Sequence, residues 1–561
     1  MKDISCEFTV QPGNPESLHY QKRGGELNPL DLFNCAMQQS QQSLQAWWQL
    51  FENVQNKVNR PKATFETDLE DKRFSDPKWG LPLFYFYHQA YLLYTKQILD
   101  FLEHNPSSDP KITQQINFFT KQYLDAVAPS NFPLTNPEVL EQTIEKQGEN
   151  FRQGLQNWLE DVAKHKGQIQ MTDLQAFELG KNIAVSKGKV VYQNSLIQLI
   201  QYEATTEKVF KRPLLMIPPW INKYYILDLT EKKSLVKWLV NEGFTVFMIS
   251  WVNPDKSYQD TQFENYVTEG VLAAIDAIKQ ATGEDKVNAL GFCIGGTLLA
   301  VTTAYLKAIN DPSINSATFL TSLIDFSEPG DLGVFIDENQ VERIEKEMES
   351  VGYLDGRVMM NTFNMLRAND LQWSYYVNNY LCGNKPFAFD LLYWNSDPAN
   401  LPAKMQSFYL RNFYLENRLC VPNCLQILGK PLDLQKVNIP CYFLSTLQDH
   451  IAPWPSTFMG AKCLGGPTTF VLAGSGHIAG VVNPPTNQKY GYQHCDMELR
   501  SFSDPKAWLK QATSEKGSWW PHWTKWLMRY AGDKVNKRVP GDGKLKVLQD
   551  APGSYVRKRV E

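Results

Sequence analysis

The sequence predicts an α/β protein whose parallel sheet follows a mainly helical N-terminal region. Two short, continuously apolar runs, Leu214–Ile217 and Phe244–Trp251, read as buried strands, with helical periodicity between and after them. A third apolar run leads into Gly291-Phe292-Cys293-Ile294-Gly295, and a helix of small residues follows it. Strand, helix and strand in alternation predict a parallel sheet covered by helices.

Bulk composition sets broad limits on the protein. The chain has 561 residues, 43% of them hydrophobic, which predicts two or three domains with a large core. A formal net charge of -4 gives no case for nucleic-acid binding. The nine cysteines are irregularly spaced, without a C-x-x-C pair. We therefore expect a reducing cytoplasm, no disulfide framework, no metal site and no cofactor.

The N-terminal region is expected to be helical and to lie outside the membrane. Residues 1–28 are polar and are predicted to form a flexible tail, and 29–170 to form a helical domain. Met1–Asn14 lacks the apolar stretch of a secretory signal, and Leu81–Leu102 contains too many polar residues for a transmembrane helix. The aromatic stripes of this region indicate core packing, with a surface for a hydrophobic partner as the alternative.

Residues 171–561 are expected to form the catalytic domain. Strand character begins at Val190–Tyr192, and a later strand is predicted at 317–324. The pattern then turns helical and aromatic over about 325–435, before strands resume at Ile439–Ser445. An insertion at this point would form a cap that excludes water from the site. A second independent domain is the alternative.

The Gly-x-Cys-x-Gly segment has the form of a nucleophile elbow, a sharp strand-to-helix turn that exposes one reactive side chain above a parallel sheet. Glycines at 291 and 295 suit a turn whose backbone must pass close to its neighbours. A thiol at the N-terminus of a helix is favoured as thiolate. This turn narrows the prediction to an α/β-hydrolase-like sheet with Cys293 as nucleophile; a buried structural cysteine is the alternative.

Two polar groups follow later predicted strands, where open α/β sheets place their sites. Asp449 comes after the strand that ends at Ser445, and His477 lies in a Gly-Ser-Gly-His loop after the strand near Thr468–Leu472. The order nucleophile, acid, histidine is that of hydrolase-fold triads. We therefore predict His477 as base and Asp449 as the acid that orients it. His450 is the alternative base, although no acid in the expected chain position would orient it.

The oxyanion donors are expected to be backbone N–H groups. One is that of Ile294, directly after the nucleophile, and the other comes from the loop after Leu214–Ile217, for which we choose Ile221. A cysteine that attacks a thioester yields another thioester, so the acyl group stays activated for transfer to a hydroxyl. This favours acyl transfer in a dry site, without excluding hydrolysis.

The chain closely resembles the class I poly(3-hydroxyalkanoate) synthases, most clearly after residue 176. The matching segments are long and unusual: Pro218–Leu229, Ser250–Asp255, Gly291–Thr297, Tyr393–Asp397, Asp449–Trp454, Gly476-His477 and the ending Pro552–Val556. The resemblance implies an α/β-hydrolase fold with a cap, and polymerisation of (R)-3-hydroxyacyl-CoA, short-chain by its class, with release of CoA. It further implies a homodimer that makes polyester held in cytoplasmic granules.

The resemblance also bears on the triad. Asp449 matches a residue that is proposed in the family to help activate the substrate's 3-hydroxyl, and the sequence does not separate that role from orienting His477. Whether the chain grows on one subunit or alternates between two is left open. The alternative functions are a Cys-dependent thioesterase or polyester hydrolase of the same fold, and a granule-coating protein without activity.

Overall fold

A computed structural model describes residues 45–48 and 71–560. The chain divides into two compact units, Met1–Phe101 and Leu102–Glu561. In the first unit, 3-10 turns at Lys72–Phe74 and Pro77–Gly80 precede helix α1, which starts at Pro82 and continues to His104. Phe74 stacks on His88 of this helix with ring centroids 4.2 Å apart. The predicted tail, 1–28, lies outside the described residues.

The second unit opens with three helices: α2 (Pro110–Ala126), α3 (Pro137–Glu145) and α4 (Glu149–His165). Sequence signals set the starts of α2 and α3. Asp109 and Asn136 accept hydrogen bonds from first-turn N–H groups, and a proline occupies the first helical position in each. Helix α4 packs Gly154 closely against the carbonyl of Tyr380, where a larger side chain would not fit.

The centre of this unit is an eleven-stranded sheet in the order β15-β14-β13-β12-β7-β6-β4-β5-β2-β1-β17. Strands β5, β4, β6, β7, β12 and β13 are parallel, and antiparallel strands extend both edges. The strands are β1 (Gly188–Gln193), β2 (Ile197–Tyr202), β4 (Leu214–Ile217), β5 (Val246–Trp251), β6 (Val287–Phe292), β7 (Ile314–Leu320), β12 (Cys441–Thr446), β13 (Thr468–Ala473), β14 (Tyr492–His494), β15 (Thr513–Glu515) and β17 (Gln549–Asp550).

Helices cover both faces of the sheet, and each face has its own buried core. This explains why the parallel strands are apolar on both sides: every residue of β4, β5 and β6 is buried. The covering helices are α5 (Leu235–Asn241), α6 (Phe263–Asn265, Tyr266–Leu272 as a π-helical turn, Ala273–Thr282), α7 (Ile294–Ala308), α13 (Trp454–Lys462), α14 (Pro505–Gln511) and α15 (Trp520–Met528). Strands β3 (Lys208–Phe210) and β16 (Lys534–Asn536) form a separate pair.

Between β7 and β12 the chain leaves the sheet and forms a helical insertion. Its helices are α8 (Glu338–Val351), α9 (Gly356–Leu366), α10 (Asn369–Trp373, Ser374–Tyr376, Val377–Leu381), α11 (Asp390–Asn395) and α12 (Ala403–Tyr409, continued by a π-helical turn at Leu410–Leu415). Its short strands are β8 (Tyr353–Leu354), β9 (Leu401–Pro402), β10 (Gln426–Ile427) and β11 (Lys430–Pro431). The insertion packs on the sheet domain through aromatic rings, including Phe408 on Phe263 at 5.3 Å.

The predicted α/β fold is confirmed, and one strand boundary was wrong. The strand expected at 317–324 ends at Leu320, because the chain turns at Thr321, whose φ is 43°. The predicted boundaries at 170, 325 and 435 stay predictions. No helix among residues 45–48 and 71–560 has both the length and the apolar character needed to cross a membrane.

Candidate active site

Cys293 lies in the turn between β6 and α7, at the carboxyl end of the central strands. Its φ of 53° and ψ of -125° are outside the regions that side chains favour. Two glycines make the turn possible. A Cβ at Gly291 would be 2.4 Å from Cα of Gly296, and one at Gly295 would be 2.3 Å from the carbonyl oxygen of Ile217. The sequence pattern thus folds into the strained turn expected of a nucleophile elbow.

Asp449 and His477 follow two neighbouring parallel strands, β12 and β13, and meet above their ends. Oδ2 of Asp449 is 2.8 Å from Nδ1 of His477, and both side chains are almost fully buried. The N–H groups of Ile451 and Ala452 donate to Oδ1 at 2.9 and 2.8 Å, and the Thr446 hydroxyl donates to Oδ2 at 3.2 Å. These donors fix the carboxylate, which in turn orients the imidazole.

The other side of the imidazole faces the nucleophile. Because Asp449 occupies Nδ1, Nε2 is the ring nitrogen left for Cys293, whose charge contributes to the raised pKa of His477. Phe292 stacks beside the imidazole with centroids 5.7 Å apart. The structure therefore brings the three predicted side chains into one group, in the order thiol, imidazole and carboxylate.

The electrostatics of this group favour a protonated ring. Burial lowers the pKa of His477, but the Asp449 carboxylate and a Cys293 thiolate outweigh it and raise the pKa to about 10. At neutral pH the imidazole therefore holds a proton while its Nδ1 is hydrogen-bonded to Asp449. Such an arrangement can generate a thiolate and afterwards deliver a proton to a leaving group.

The two predicted oxyanion donors lie on the elements that flank the nucleophile. Ile294 is the first residue of α7, so its N–H has no carbonyl partner one turn earlier within the helix. Ile221 lies in the loop after β4, whose start touches the elbow at Gly295. Its carbonyl accepts a hydrogen bond from the Ala399 N–H at 2.8 Å. Their role as donors remains a prediction.

His450, the alternative base, directly follows Asp449 in the chain but differs from His477 in its pKa and in the surroundings of its Nδ1. Burial lowers its pKa to about 4, despite the opposing effect of Asp449. Its Nδ1 is buried without a hydrogen-bond partner among the described residues, whereas Nδ1 of His477 meets a carboxylate. The geometry therefore favours His477 as the base.

Sequence reasoning missed two tyrosines of the insertion, Tyr409 and Tyr414. Their rings are 5.7 Å apart although they are five positions apart in the chain, because the π-helical turn at Leu410–Leu415 places such residues on one side. Burial raises the pKa of Tyr414, and a Cys293 thiolate adds to the rise; both side chains pack against the same hydrophobic core. The aromatic insertion was visible in the sequence, but nothing there marked these two positions.

Comparisons with known proteins point to one family. Residues 70–239 match a family model described as the N-terminus of poly-beta-hydroxybutyrate polymerase (PhaC), and residues 212–484 match the alpha/beta hydrolase fold. A poly(3-hydroxyalkanoate) polymerase of Methylorubrum extorquens is 48% identical over 92% of this chain and 85% of its own length. The corresponding subunit of Rhizobium meliloti is 47% identical over 87% and 80%, and that of Cupriavidus necator 42% over 89% and 85%.

Proposed function

Because this chain belongs to the poly(3-hydroxyalkanoate) polymerase family, an acyltransferase family of the α/β-hydrolase fold, we propose that it polymerises (R)-3-hydroxyacyl-CoA through a thioester on Cys293. The observation that carries the proposal is the group formed by the half-buried Cys293 and the buried, hydrogen-bonded pair His477 and Asp449. Identity at nearly half of the positions over 92% of the chain supports the reaction class.

The first half-reaction loads the acyl group. In the reactive form the proton of the Cys293 thiol lies on Nε2 of His477, and the resulting thiolate attacks the thioester carbonyl of the substrate. Negative charge on the carbonyl oxygen is stabilised by the N–H groups of Ile294 and Ile221. The carbon–sulfur bond to CoA breaks, the leaving sulfur takes the proton from His477, and the acyl group remains on Cys293.

The second half-reaction extends the polyester. The 3-hydroxyl of one unit loses its proton to His477, with Asp449 orienting the ring or assisting directly, and attacks the thioester carbonyl of another. An ester bond forms, the sulfur–acyl bond breaks, and the proton returns to the sulfur. This chemistry needs no metal or cofactor, since CoA is part of the substrate and a product.

Burial of the site favours the hydroxyl over water as acceptor. His477 and Asp449 are almost inaccessible, and Tyr409 of the insertion belongs to the hydrophobic core against which Cys293 and Tyr414 pack. Removing water protects an acyl thioester from hydrolysis. We propose 3-hydroxybutyryl-CoA, which has a short acyl chain, as the substrate because the sequence resembles the class I family.

The experiment is CoA release by the purified protein, with product sizing, on C4 and C6 3-hydroxyacyl-CoA. We expect CoA release with high-molecular-mass polyester, faster with the C4 substrate. Free 3-hydroxy acid in amounts equal to the CoA released would instead establish a Cys-dependent thioesterase. The absence of CoA release from both substrates would favour a coat protein without activity.

We also propose that the protein acts as a homodimer on cytoplasmic granules of its product. Helix α4 supports the granule contact, because one of its faces exposes Phe151, Leu155, Trp158, Leu159 and Val162. Large side chains at spacings of three and four residues form a continuous apolar strip of the kind that marks an interaction surface. Light scattering of the purified protein tests the dimer, which rests on the resemblance alone.

A further inference from the structure

Several unusual sequence segments carry no residue of the proposed chemistry apart from Ile221, yet they meet at one place. A largely buried polar group of five residues lies where four of these segments meet. The segments are Pro218–Leu229, Ser250–Asp255, Tyr393–Asp397 and the residues just after Pro552–Val556. We call this group the Lys223 cluster, and its members are Lys223, Tyr225, Asn253, Asp397 and Arg559.

The final segment of the chain supplies one side of this cluster. The carbonyl of Lys558 accepts hydrogen bonds from Nζ of Lys223 at 2.8 Å and from Nδ2 of Asn253 at 3.3 Å. The Arg559 guanidinium lies next to Asp397, with Nε 3.9 Å from Oδ1, and covers the Tyr393 ring at 4.9 Å. The Tyr225 hydroxyl donates to the other oxygen of Asp397 at 2.9 Å.

Two charged members of the cluster are deeply buried, and the Arg559 side chain is 39% exposed. Lys223 is 3% exposed and Asp397 is 1% exposed. Burial lowers the pKa of Lys223 to about 8 and raises that of Asp397, and each charge opposes the other's shift. Removing one charge from a buried set leaves its partner uncompensated, which is strongly unfavourable. Lys223 and Arg559 both oppose the rise in the pKa of Asp397, so both contribute to balancing its charge.

The cluster is linked directly to the loop that carries the proposed oxyanion donor. The carbonyl of Ile221 accepts from the Ala399 N–H at 2.8 Å, two residues after Asp397. The carbonyl of Lys223 accepts a hydrogen bond from Nε1 of Trp394 at 2.7 Å, and Asn222 forms an isolated antiparallel β-bridge with Pro398. The loop from Ile221 to Lys223 is thus hydrogen-bonded along the 394–399 segment of the insertion.

We infer that Arg559 and Lys223 are positioning residues, which hold the loop that presents the Ile221 N–H to the reacting carbonyl. The final segment thereby connects the 394–399 segment of the insertion with the oxyanion loop, through Lys558 and Arg559. The inference rests on the proposed function. Donors to a developing oxyanion act only within a few tenths of an ångström of the correct geometry, so a loosened loop lowers turnover more than substrate binding.

The test compares Arg559→Ala, Arg559→Lys and Lys223→Met with the wild type and a control. The control is Lys189→Ala, because Lys189 forms an exposed ion pair with Asp550 of the same final stretch, away from the cluster. Rates of CoA release on 3-hydroxybutyryl-CoA are expressed per reactive thiol, counted by iodoacetamide alkylation of Cys293, so that misfolded protein does not contribute. Hydrogen exchange of residues 219–223 is followed in the same samples.

We expect Arg559→Ala and Lys223→Met to lower kcat by about 10- to 100-fold with KM changed less than threefold, and to speed amide exchange in the loop. Arg559→Lys restores part of the turnover, and Lys189→Ala matches the wild type. Wild-type turnover per reactive thiol in Arg559→Ala, or unchanged exchange of residues 219–223, would overturn the inference. If the wild type itself releases no CoA, the proposed function fails, while the exchange measurement still decides whether the cluster holds the loop.

Discussion

At the residue scale, the proposed reaction depends on one imidazole that is placed between a carboxylate and a thiol. The Asp449 contact at 2.8 Å fixes the orientation of the ring, which leaves Nε2 for Cys293. His450, one residue from the acid, is buried without a carboxylate on its Nδ1 among the described residues. Two neighbouring histidines therefore have separable roles.

Replacing His477 is expected to remove the base and the proton donor together. We predict that His477→Ala lowers the rate of CoA release at least about 100-fold. His450→Gln is the matched control, and it should retain activity within about threefold because it does not meet the reacting sulfur. Rates per folded protein on 3-hydroxybutyryl-CoA check both values. Near-wild-type turnover by His477→Ala would remove this residue from the mechanism.

The raised pKa of His477 also leads to a prediction about how the stability of the folded protein depends on pH. Its value in the fold, about 10, lies above the ordinary 6.5, so the folded protein binds a proton that the unfolded chain loses. The resulting stabilisation is complete below pH 6.5 and disappears as the pH rises towards 10. We predict that the thermal midpoint of the wild type falls more steeply over this window than that of His477→Gln. Parallel curves for the two proteins would contradict the assignment.

At the element scale, the site lies where several parallel strands end, and this explains why much of it could be predicted from the sequence. Strands β6, β12 and β13 each end in a polar or small-residue turn, and parallel strands bring those turns to one edge. Cys293, Asp449 and His477 could therefore be predicted to lie close together from chain order alone. The helical insertion was also recognisable, as a break in strand character.

Other features depended on contacts that no local pattern encodes. The closeness of Tyr409 and Tyr414 arises from a π-helical turn. The Lys223 cluster arises from contacts such as that of Lys223 with Lys558, which are more than 300 residues apart in the chain. The strand after Ala317 was predicted too long, because apolar residues continue past the turn at Thr321. Periodicity identifies elements, whereas these features require the tertiary arrangement.

The elbow gives a prediction at this scale. A methyl group at Gly295 would lie 2.3 Å from the Ile217 carbonyl oxygen and 2.8 Å from that of Pro218, so the loop after β4 must shift. We expect Gly295→Ala to lower the stability by about 1–3 kcal/mol and to reduce turnover at least tenfold. The control is Gly80→Ala, where a methyl group meets nothing within 4 Å. Thermal unfolding and CoA release measure the two effects, and equal behaviour of both variants would contradict the packing argument.

At the scale of the whole molecule, the protein must hold a soluble thioester substrate and an insoluble product at once. The apolar strip of α4 is exposed, while the opposite side of that helix packs on the insertion through Gly154 and Asn150. Attachment to the polyester and catalysis should therefore be separable by substitution.

We predict that the pair Leu155→Ser and Leu159→Ser weakens sedimentation with polyester particles about tenfold or more, since two exposed leucines would otherwise be buried against the polymer. The initial rate of CoA release in solution should not change. The pair Val421→Ser and Leu428→Ser, which removes exposed apolar side chains elsewhere, is the control and should sediment like the wild type. Equal sedimentation of the two double variants would exclude α4 as the contact.

The central claim is that the acyl group is carried on the sulfur of Cys293, and peptide mass spectrometry after rapid acid quench tests it most directly. Wild-type protein mixed with 3-hydroxybutyryl-CoA should yield the Cys293 peptide with one or more hydroxybutyryl units attached, at the expense of free thiol. The matched sample of Cys293→Ala should yield no acylated peptide and no CoA release. CoA release and polymer from that variant, or a wild-type acyl group found on another residue, would contradict the account.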